Sequence, residues 1–348
     1  MARSPLTLQV DTVAAMLNCE FTDHPVYDGL ELQWFDDETH GTGMLAFLSR
    51  RADRQVDYYL QPGLRLDRAN YHLGSGIGSW VVTDFEVAEL QVSPDGVLAS
   101  ATFTDVDGRP IEVHIDDRNG KPRRRAGLLA PVSAGITEPE SMLLVWMPAF
   151  DLVRRTKTNP TLRINGQQAA TGRLPGAGVH RRLLIKYAAP LVVANLAPAF
   201  HGPLRNLPAT PDAGADGTSV LTASSDGHTA RLVLDPAMPE PAAIAPGTRE
   251  QGRWHVMVDD VALTGGSWSA RRHDDEVTFA LHVTERWDPG PMPLLMRIVT
   301  TVVPVFRRWP TSYRWRGVVT LTQEPALRSR WQRTGTGGVE TYQHRTGG

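Results

Sequence analysis

The stretch from residue 85 to residue 116 constrains the fold of this chain more than any other part of it. Three runs of residues alternate there between apolar and polar side chains, and a short turn follows each of the first two. Such alternation is typical of a strand that has one face in a protein core. Pro94-Asp95-Gly96 and Asp107-Gly108 supply the turns, because proline fixes φ and glycine accepts a positive φ. The pattern predicts a three-stranded antiparallel meander.

The same alternation returns in the second half of the chain. It predicts a hairpin over residues 220–234 around Asp226-Gly227. It also predicts single strands near residues 254–258, 277–283 and 313–321. Many short strands separated by turns favour a barrel or a sandwich. We therefore expect a mainly β protein with two antiparallel barrel-like or sandwich-like lobes and a few short helices.

Length and composition suggest how these lobes divide the chain. A domain holds roughly 100–200 residues, so 348 residues favour two domains or one duplicated fold. One internal stretch is rich in proline, glycine, alanine and aspartate, and this composition predicts a linker. The expected units are an N-terminal β lobe at 1–201, a linker at 202–219, a C-terminal β lobe at 220–335 and a flexible tail at 336–348.

One short helix is predicted close to the N-terminus. Asp11 has the side chain of an N-cap, and it precedes a helical pattern over residues 12–17. In such a helix Val13, Met16 and Leu17 would share one face.

Two long apolar segments, 183–200 and 293–306, interrupt the alternating pattern. Each follows a Thr-x-Arg sequence and a Pro-Gly pair, and each then has two leucines, an apolar residue and a base. The matching tetrads are Leu183-Leu184-Ile185-Lys186 and Leu294-Leu295-Met296-Arg297. We interpret the match as a duplication, and chance similarity of two apolar runs is the alternative. The valines and threonines of these segments suit a helix or a strand.

The apolar segments also suggest where the chain could contact a membrane. Prolines and a base within each segment argue against a spanning helix, which needs about 20 apolar residues. A buried core helix, or a helix that covers the mouth of a barrel, is the favoured interpretation. Peripheral membrane contact is the alternative, because Arg181-Arg182 and Arg307-Arg308 flank the segments and suit anionic headgroups.

Charge and cysteine content argue against several classes of function. Acidic and basic side chains number 38 and 36, and this balance argues against a nucleic-acid binder. Cys19 is the sole cysteine, so an intrachain disulfide cannot form, and we favour an inert thiol over a reactive one. The N-terminus lacks the apolar run of a signal peptide, which predicts a cytoplasmic protein. Gly74-Ser75-Gly76-Ile77-Gly78 fits neither a dinucleotide nor a phosphate loop, so we expect no cofactor. A single cysteine and the lack of a His-Glu-x-x-His pattern lead us to expect no metal.

Aromatic side chains in or beside the predicted strands are the first set of candidate site residues. Tyrosine and tryptophan bury a large apolar area but keep a polar group, and they commonly line pockets for apolar small molecules. An ordinary core role is the alternative for each of them. The candidate ligand-binding residues are Tyr58, Trp80, Trp146, Trp268, Trp287 and Trp315.

A second set of candidates carries groups that could transfer a proton. Two histidines lie on the polar register of predicted strands, and a lysine lies among apolar neighbours, where burial lowers an amine pKa and permits a Schiff base. Surface exposure of the histidines and snorkelling of the lysine are the alternatives. The candidate catalytic residues are His282, His114, Tyr59, Lys186 and Arg286.

The meanders at residues 89–116 and 254–321, with the apparent half-repeat, resemble the organisation of tandem lipocalin-like proteins. That group includes carotenoid 1,2-hydratase-like enzymes and related isomerases and cyclases. The resemblance covers most of the chain but brings no diagnostic motif, so no catalytic residue is carried over. It implies two barrel-like β lobes with a hydrophobic ligand inside one lobe or between them.

These features lead to one functional hypothesis and two alternatives. The chain is expected to bind a hydrophobic small molecule such as a lipid, an isoprenoid or a polyketide. If it is an enzyme, it would act without a cofactor as an isomerase, a cyclase or a hydratase. The alternatives are a non-catalytic lipid carrier that docks peripherally on membranes and an interaction module that dimerises through the two apolar segments.

Overall fold

The computed structural model describes residues 3–71, 73, 75–132, 134, 136–157, 159–172, 174, 180–208, 214, 216–290 and 292–334. The predicted tail at 336–348 lies outside this range. The protein is mostly β, as the alternating patterns predict, and has two curled, half-barrel sheets and one smaller sheet.

The strands follow one another along the chain with few helices between them. In chain order they are β1 (Leu8–Val13), β2 (Ala15–Glu20), β3 (Tyr27–Asp37), β4 (Gly41–Arg50), β5 (Val56–Leu60), β6 (Ile77–Val82), β7 (Val87–Ser93), β8 (Gly96–Thr104), β9 (Pro110–Asp116), β10 (Ala126–Ala130), β11 (Met142–Arg154), β12 (Thr161–Ile164), β13 (Gln167–Gln168), β14 (Arg182–Ala188), β15 (Leu191–Leu196), β16 (Phe200–Pro203), β17 (Ser219–Ser225), β18 (His228–Asp235), β19 (Arg249–Val258), β20 (Val261–His273), β21 (Glu276–Glu285), β22 (Tyr313–Thr320) and β23 (Ala326–Arg333). The described α-helices are α1 (Leu294–Val302) and α2 (Pro304–Arg308). Short 3₁₀ turns lie at Arg68–Asn70, Leu204–Asn206 and Pro241–Ala243.

The strands form three sheets, which we name by size and position. The large sheet has the order β1-β15-β11-β14-β2-β3-β4-β5-β6, with β10 paired to β11. The small sheet has the order β13-β12-β9-β8-β7, and the C-terminal sheet has the order β16-β23-β22-β21-β20-β19-β18-β17. Neighbouring strands are antiparallel except β5 and β6, which are parallel. Consecutive antiparallel strands need only short turns, which agrees with the turn residues in the sequence.

Strand β11 changes its neighbour along its length, and the two ends of the large sheet pack against different sheets. β11 pairs with β15 through its first half and with β14 through its second half. β15 in turn pairs with β1, and β14 pairs with β2. The β1, β15 end shares a core with the C-terminal sheet, where Leu144 and Trp254 lie in one cluster. The β2, β14 end shares a core with the small sheet, where Leu17 and Ile111 lie in another.

The meander and the hairpin predicted from the sequence are confirmed. β7, β8 and β9 are consecutive antiparallel neighbours in the small sheet. β17 and β18 form the hairpin, and its two turn residues, Asp226 and Gly227, have φ values of 42° and 77°. Positive φ at both central residues matches the right-handed twist of the strands, so a glycine is favoured there.

The helix predicted over residues 12–17 is wrong, because these residues lie in or between β1 and β2. Leu17 and Cys19 face the small sheet, while Met16 and Asn18 face the other side of the large sheet. β2 has hydrogen-bonded neighbours on both sides, β14 and β3, and this pairing outweighs a weak local helical pattern. Cys19 is fully buried, and burial raises the pKa of its thiol to about 12, which suits an inert thiol.

The two apolar segments take different structures. Residues 183–200 contain β14, β15 and the start of β16, whereas residues 293–306 contain α1 and the start of α2. The segments are therefore not structurally equivalent, and they lend the predicted duplication no support. Among the described helices, no helix is both long enough and apolar enough to cross a bilayer.

The predicted linker at 202–219 begins inside the C-terminal sheet. β16 pairs with β23, and Leu204 and Leu207 are buried in the core that the large and C-terminal sheets share. The chain therefore enters the C-terminal sheet, leaves it, and returns as β17.

Candidate functional site

The concave face of the large sheet lines a cavity of about 1140 Å³ that is open to solvent on one side. Strand alternation places every second side chain of β2, β3, β11, β14 and β15 on this face. Asn70 and Tyr71 from the loop after β5, and Ser224 and Ser225 from β17, contribute to the rim. The apolar wall includes Met16, Leu143, Val145, Met147, Leu191 and Val193. The polar wall includes Asp11, Asn18, Glu31, Gln33, His40 and Lys186.

Glu31 is the central carboxyl group of the polar wall. Nδ2 of Asn18, on the neighbouring strand β2, donates a hydrogen bond to Glu31 Oε2 at 3.0 Å. Nε2 of Gln33 donates to Glu31 Oε1 at 2.7 Å. Burial raises the pKa of Glu31 above its ordinary value, and the two amide donors and Lys186 only partly oppose this effect. Glu31 therefore keeps a proton to a higher pH than an ordinary glutamate, which suits a proton donor.

Lys186 also lines the cavity, but its ammonium group has a partner. It lies on β14 directly across from Asn18, and its Nζ forms an ion pair with Glu20. The side chains of Lys186 and Glu20 are 30% and 58% exposed, so this pair lies at the solvent side of the polar wall. The Lys186 Nζ is therefore engaged by a carboxylate, whereas a Schiff base requires a free amine.

Asp11, His40 and Asp37 form a second group of ionisable side chains. Nδ1 of His40 is 2.9 Å from Asp37 Oδ2, and Nε2 of His40 is 3.3 Å from Asp11 Oδ1. Burial raises the pKa of Asp11, with His40 opposing the effect. Burial also acts to raise the pKa of Asp37, but hydrogen bonds from His40 and from the backbone N–H of Thr39 outweigh it and lower the pKa overall.

The His40 ring lies between two carboxylates. A neutral imidazole has one N–H, so it can donate to only one of two carboxylates. Nδ1 of His40 is within reach of Asp37, and Nε2 is within reach of Asp11. An imidazole held in this way is oriented as a group that can accept and return a proton.

Tyr71 lies within electrostatic reach of both groups. Burial raises its pKa, and the charges of Asp11, Asp37 and Glu31 raise it further. The Tyr58 hydroxyl donates to the Tyr71 carbonyl at 2.7 Å, and the two rings meet edge to face at 5.6 Å. This hydrogen bond anchors the loop that carries Tyr71 over the cavity.

The structure separates most of the proton-transfer candidates predicted from the sequence. Tyr59 is buried between the large and small sheets, where its ring packs on Phe103, and burial raises its pKa to about 12. His114 is on the exposed face of β9 and pairs with Ser100 at 2.9 Å. The remaining two, His282 on β21 and the exposed Arg286 beyond it, lie outside the residues that line the cavity. Lys186 alone of these candidates contributes to the cavity wall.

The aromatic candidates also lie in different places. Tyr58 and Trp80, 5.1 Å apart between ring centroids, form a cluster beneath Tyr71 at the edge of the cavity. Trp146 packs edge to face on Trp287 at 5.8 Å. The last two predicted ligand-binding residues, Trp268 and Trp315, are fully buried in the C-terminal sheet core.

The carboxyl, amide and imidazole groups of the cavity were not predicted from the sequence. Asn18 and Glu31 lie 13 positions apart and become neighbours only because β2 pairs with β3. A local signal was present, since Glu31 and Gln33 alternate with Leu30 and Leu32 as residues of a half-polar strand do. A polar register alone does not distinguish solvent from the interior of a curled sheet.

Comparisons with known proteins found no relative of this chain. No family model, curated protein or solved structure matches the chain. The resemblance to tandem lipocalin-like proteins therefore stays a prediction. Among the described residues, no group of histidine, cysteine, aspartate and glutamate side chains has an arrangement suited to a metal ion.

Replacing Glu31 with glutamine is expected to stabilise the protein at neutral pH. The folded-state pKa of Glu31 is raised above 4.5, so wild-type stability falls as the pH rises from about 4.5 through that folded value. Glutamine has the same shape and no charge to bury, so the variant avoids this loss. Urea unfolding at a series of pH values measures the effect. The difference between the two proteins should disappear below about pH 4.5, and a variant less stable than wild type at neutral pH would contradict the raised pKa.

Proposed function

We propose that this chain binds a hydrophobic small molecule with one polar group in the cavity of the large sheet, and moves a proton on it without a cofactor. The observation that carries this proposal is the position of Glu31 and the Asp11–His40–Asp37 group on one cavity that also has an apolar wall. Titratable groups with perturbed pKa values in a cavity are common at functional sites.

The two walls of the cavity have separate roles in the proposal. The apolar wall, with Val145, Met147 and Val193, buries the hydrocarbon part of a lipid, an isoprenoid or a polyketide. The polar wall receives the functional group of the ligand. A ligand held at both ends is fixed in orientation, which lowers the entropy cost of reaching the transition state.

The proposed reaction is a double-bond isomerisation by paired acid and base. The protonated Glu31 carboxyl adds its proton to one end of a substrate π bond. His40 removes a proton from the carbon next to the other end, and the electrons of that C–H bond form the new π bond. The product has the same atoms as the substrate, and proton exchange with water restores the acid and the base. Acid–base catalysis of this kind contributes about 10²–10⁴-fold in rate.

Filling the cavity is expected to weaken ligand binding. Val193→Trp would place an indole among the groups of the apolar wall, and the affinity for a fluorescent fatty acid, cis-parinaric acid, should fall about tenfold or more. Fluorescence titration measures the affinity. Val261→Trp, at an exposed position of the C-terminal sheet, is the matched control and should bind as wild type does. Equal affinity in wild type and Val193→Trp would place the probe elsewhere and overturn the proposed cavity.

Proton transfer can be tested on the ligand that co-purifies with the protein. Mass spectrometry of an organic extract identifies the ligand, and incubation of the complex in D₂O should then incorporate deuterium at carbon. Glu31→Gln should lower the rate of this incorporation about 10²-fold or more, because a carboxamide is far too weak an acid to transfer its proton. Glu38→Gln, at an exposed carboxyl of the rim, is the control. Retained binding without any deuterium incorporation would leave a binding protein and remove the proposed catalysis.

A further inference from the structure

Helix α1 presents apolar side chains to solvent. Leu294, Ile298 and Val302 are 70%, 50% and 62% exposed. They are spaced by four residues, so they lie on one face of the helix, one turn above the other. Val303, at the end of the helix, is 38% exposed and extends the same apolar surface. We call these four residues the α1 stripe.

The opposite face of the helix fixes its orientation. Met296 and Thr300 are buried, and Met296 lies in the core cluster that also contains Met147 and Leu191 of the cavity wall. Phe306 of α2 packs against the same cluster. The helices therefore have an apolar inner face that is already packed, and the α1 stripe is a second apolar surface without a described partner in the chain.

The stretch of sequence that contains the two helices carries charge of one sign. Residues 289–323 contain five arginines and no aspartate or glutamate, although acidic side chains outnumber basic ones in the whole chain. Arg297 and Arg308, one on each helix, are exposed. An exposed apolar stripe with basic side chains beside it is the composition of helices that lie in the plane of an anionic membrane surface. A protein partner would need an acidic rim around an apolar groove, whereas anionic lipid supplies both features continuously.

We propose that α1 docks on anionic lipid bilayers, with the α1 stripe at the boundary between headgroups and acyl chains and the arginines among the phosphates. The other segment with basic flanks, residues 183–200, lies largely in buried strands, so α1 is the described apolar segment that can make this contact. The docking stands on the exposed helix and the local charge, and it does not depend on the proposed proton transfer. Because the inner face of α1 shares a core with the cavity wall, docking would also bring the cavity close to the source of an apolar ligand.

Vesicle flotation tests the docking. The full chain should float with vesicles of phosphatidylcholine and phosphatidylserine, and float less with phosphatidylcholine alone or at high salt. The triple variant Leu294→Gln, Ile298→Gln, Val302→Gln should bind anionic vesicles about tenfold more weakly or worse, because the substitutions remove the buried apolar area. The matched control is Val82→Gln, which alters a valine that is 66% exposed at the edge of the large sheet. It should float as wild type does.

Three outcomes would overturn the proposal. They are no flotation of the wild type with anionic vesicles, equal flotation of the triple variant, and a concentration-dependent mass in light scattering that the triple variant abolishes. The last result would assign the α1 stripe to a second copy of this chain. The triple variant should keep the Tm and the cis-parinaric acid affinity of the wild type, which separates a failure of docking from a failure of the cavity proposal.

Discussion

Replacing Arg123 with methionine is expected to lower the free energy of unfolding by about 3–5 kcal/mol. The Arg123 side chain has no exposed surface, and its Nη1 donates to Asp117 Oδ2 at 2.6 Å and to the Tyr187 hydroxyl at 2.9 Å. Asp151, another buried carboxylate, lies 3.8 Å away. Methionine fills a similar volume but leaves Asp117 without its cation, while Asp151 keeps Arg182 at 3.5 Å. A buried charge that loses its partner costs far more than the intact pair contributes.

This arginine also connects two sheets. Asp117 accepts hydrogen bonds from the backbone N–H of Val97 in the small sheet and of Arg154 in the large sheet, each at 2.8 Å. Arg123 reaches Tyr187, which lies on β14 of the large sheet. Loss of the guanidinium is therefore expected to loosen the contact between the sheets as well as to expose a charge.

Urea unfolding measures the effect, and the chain offers a matched control. Arg118 pairs with Asp116 at 2.9 Å in the same region, but the two side chains are 36% and 38% exposed. Arg118→Met should change the free energy of unfolding by no more than about 1 kcal/mol, because solvent screens an exposed pair. Similar losses of stability in both variants would mean that burial of the charge does not explain the effect of Arg123→Met.

Replacing Trp331 with alanine is expected to lower the free energy of unfolding by about 3–5 kcal/mol. Trp331 is fully buried in the core that the large and C-terminal sheets share. Its indole N–H lies 3.1 Å from the carbonyl of Leu196 and 3.0 Å from that of Ala197, where β15 ends. Truncation would leave a cavity and remove the donor to these carbonyls. Thermal and urea unfolding should report the loss in a single transition, since the two lobes share this core.

A pair of conservative variants separates packing from hydrogen bonding. Trp331→Phe keeps most of the ring volume but removes the N–H. It should therefore lower the free energy of unfolding by about 1–3 kcal/mol more than a Trp→Phe substitution at a tryptophan whose N–H makes no hydrogen bond. Trp268→Phe is that control, because Trp268 is equally buried and its N–H has no hydrogen-bond partner among the described residues. Equal losses would show that the two hydrogen bonds of Trp331 do not contribute to stability. Two unfolding transitions in Trp331→Phe would show lobes that fold separately.

The predictions succeeded where the sequence pattern is local and failed where the structure depends on residues distant in sequence. β7, β8 and β9 were predictable because alternation and turn residues are local, and each strand pairs with its neighbour in sequence. The helix predicted over residues 12–17 is wrong because β2 has partners distant in sequence, β14 among them. The two apolar segments were alike in composition, but one has strand partners along β11 and the other packs one face on the large sheet core. Composition does not carry that difference.

The candidate site was harder to predict than the fold. Lys186 was selected for its apolar neighbours in sequence, yet the structure gives it a carboxylate partner, Glu20, 166 positions away. His40 faces Asp11 from the turn between β3 and β4, and no local pattern joins the two. The aromatic candidates Tyr58 and Trp80 meet because β5 and β6 pair in parallel.

The sequence by itself determined that this protein is built from β-strands, where many of its turns lie, and that it has one cysteine and almost no net charge. Those properties are local or additive. Only the tertiary structure decided which polar side chains face a cavity rather than water, because the direction of sheet curvature depends on pairings between distant strands. The same pairings decided that Glu31 is buried, which raises its pKa, and that α1 leaves an apolar stripe uncovered.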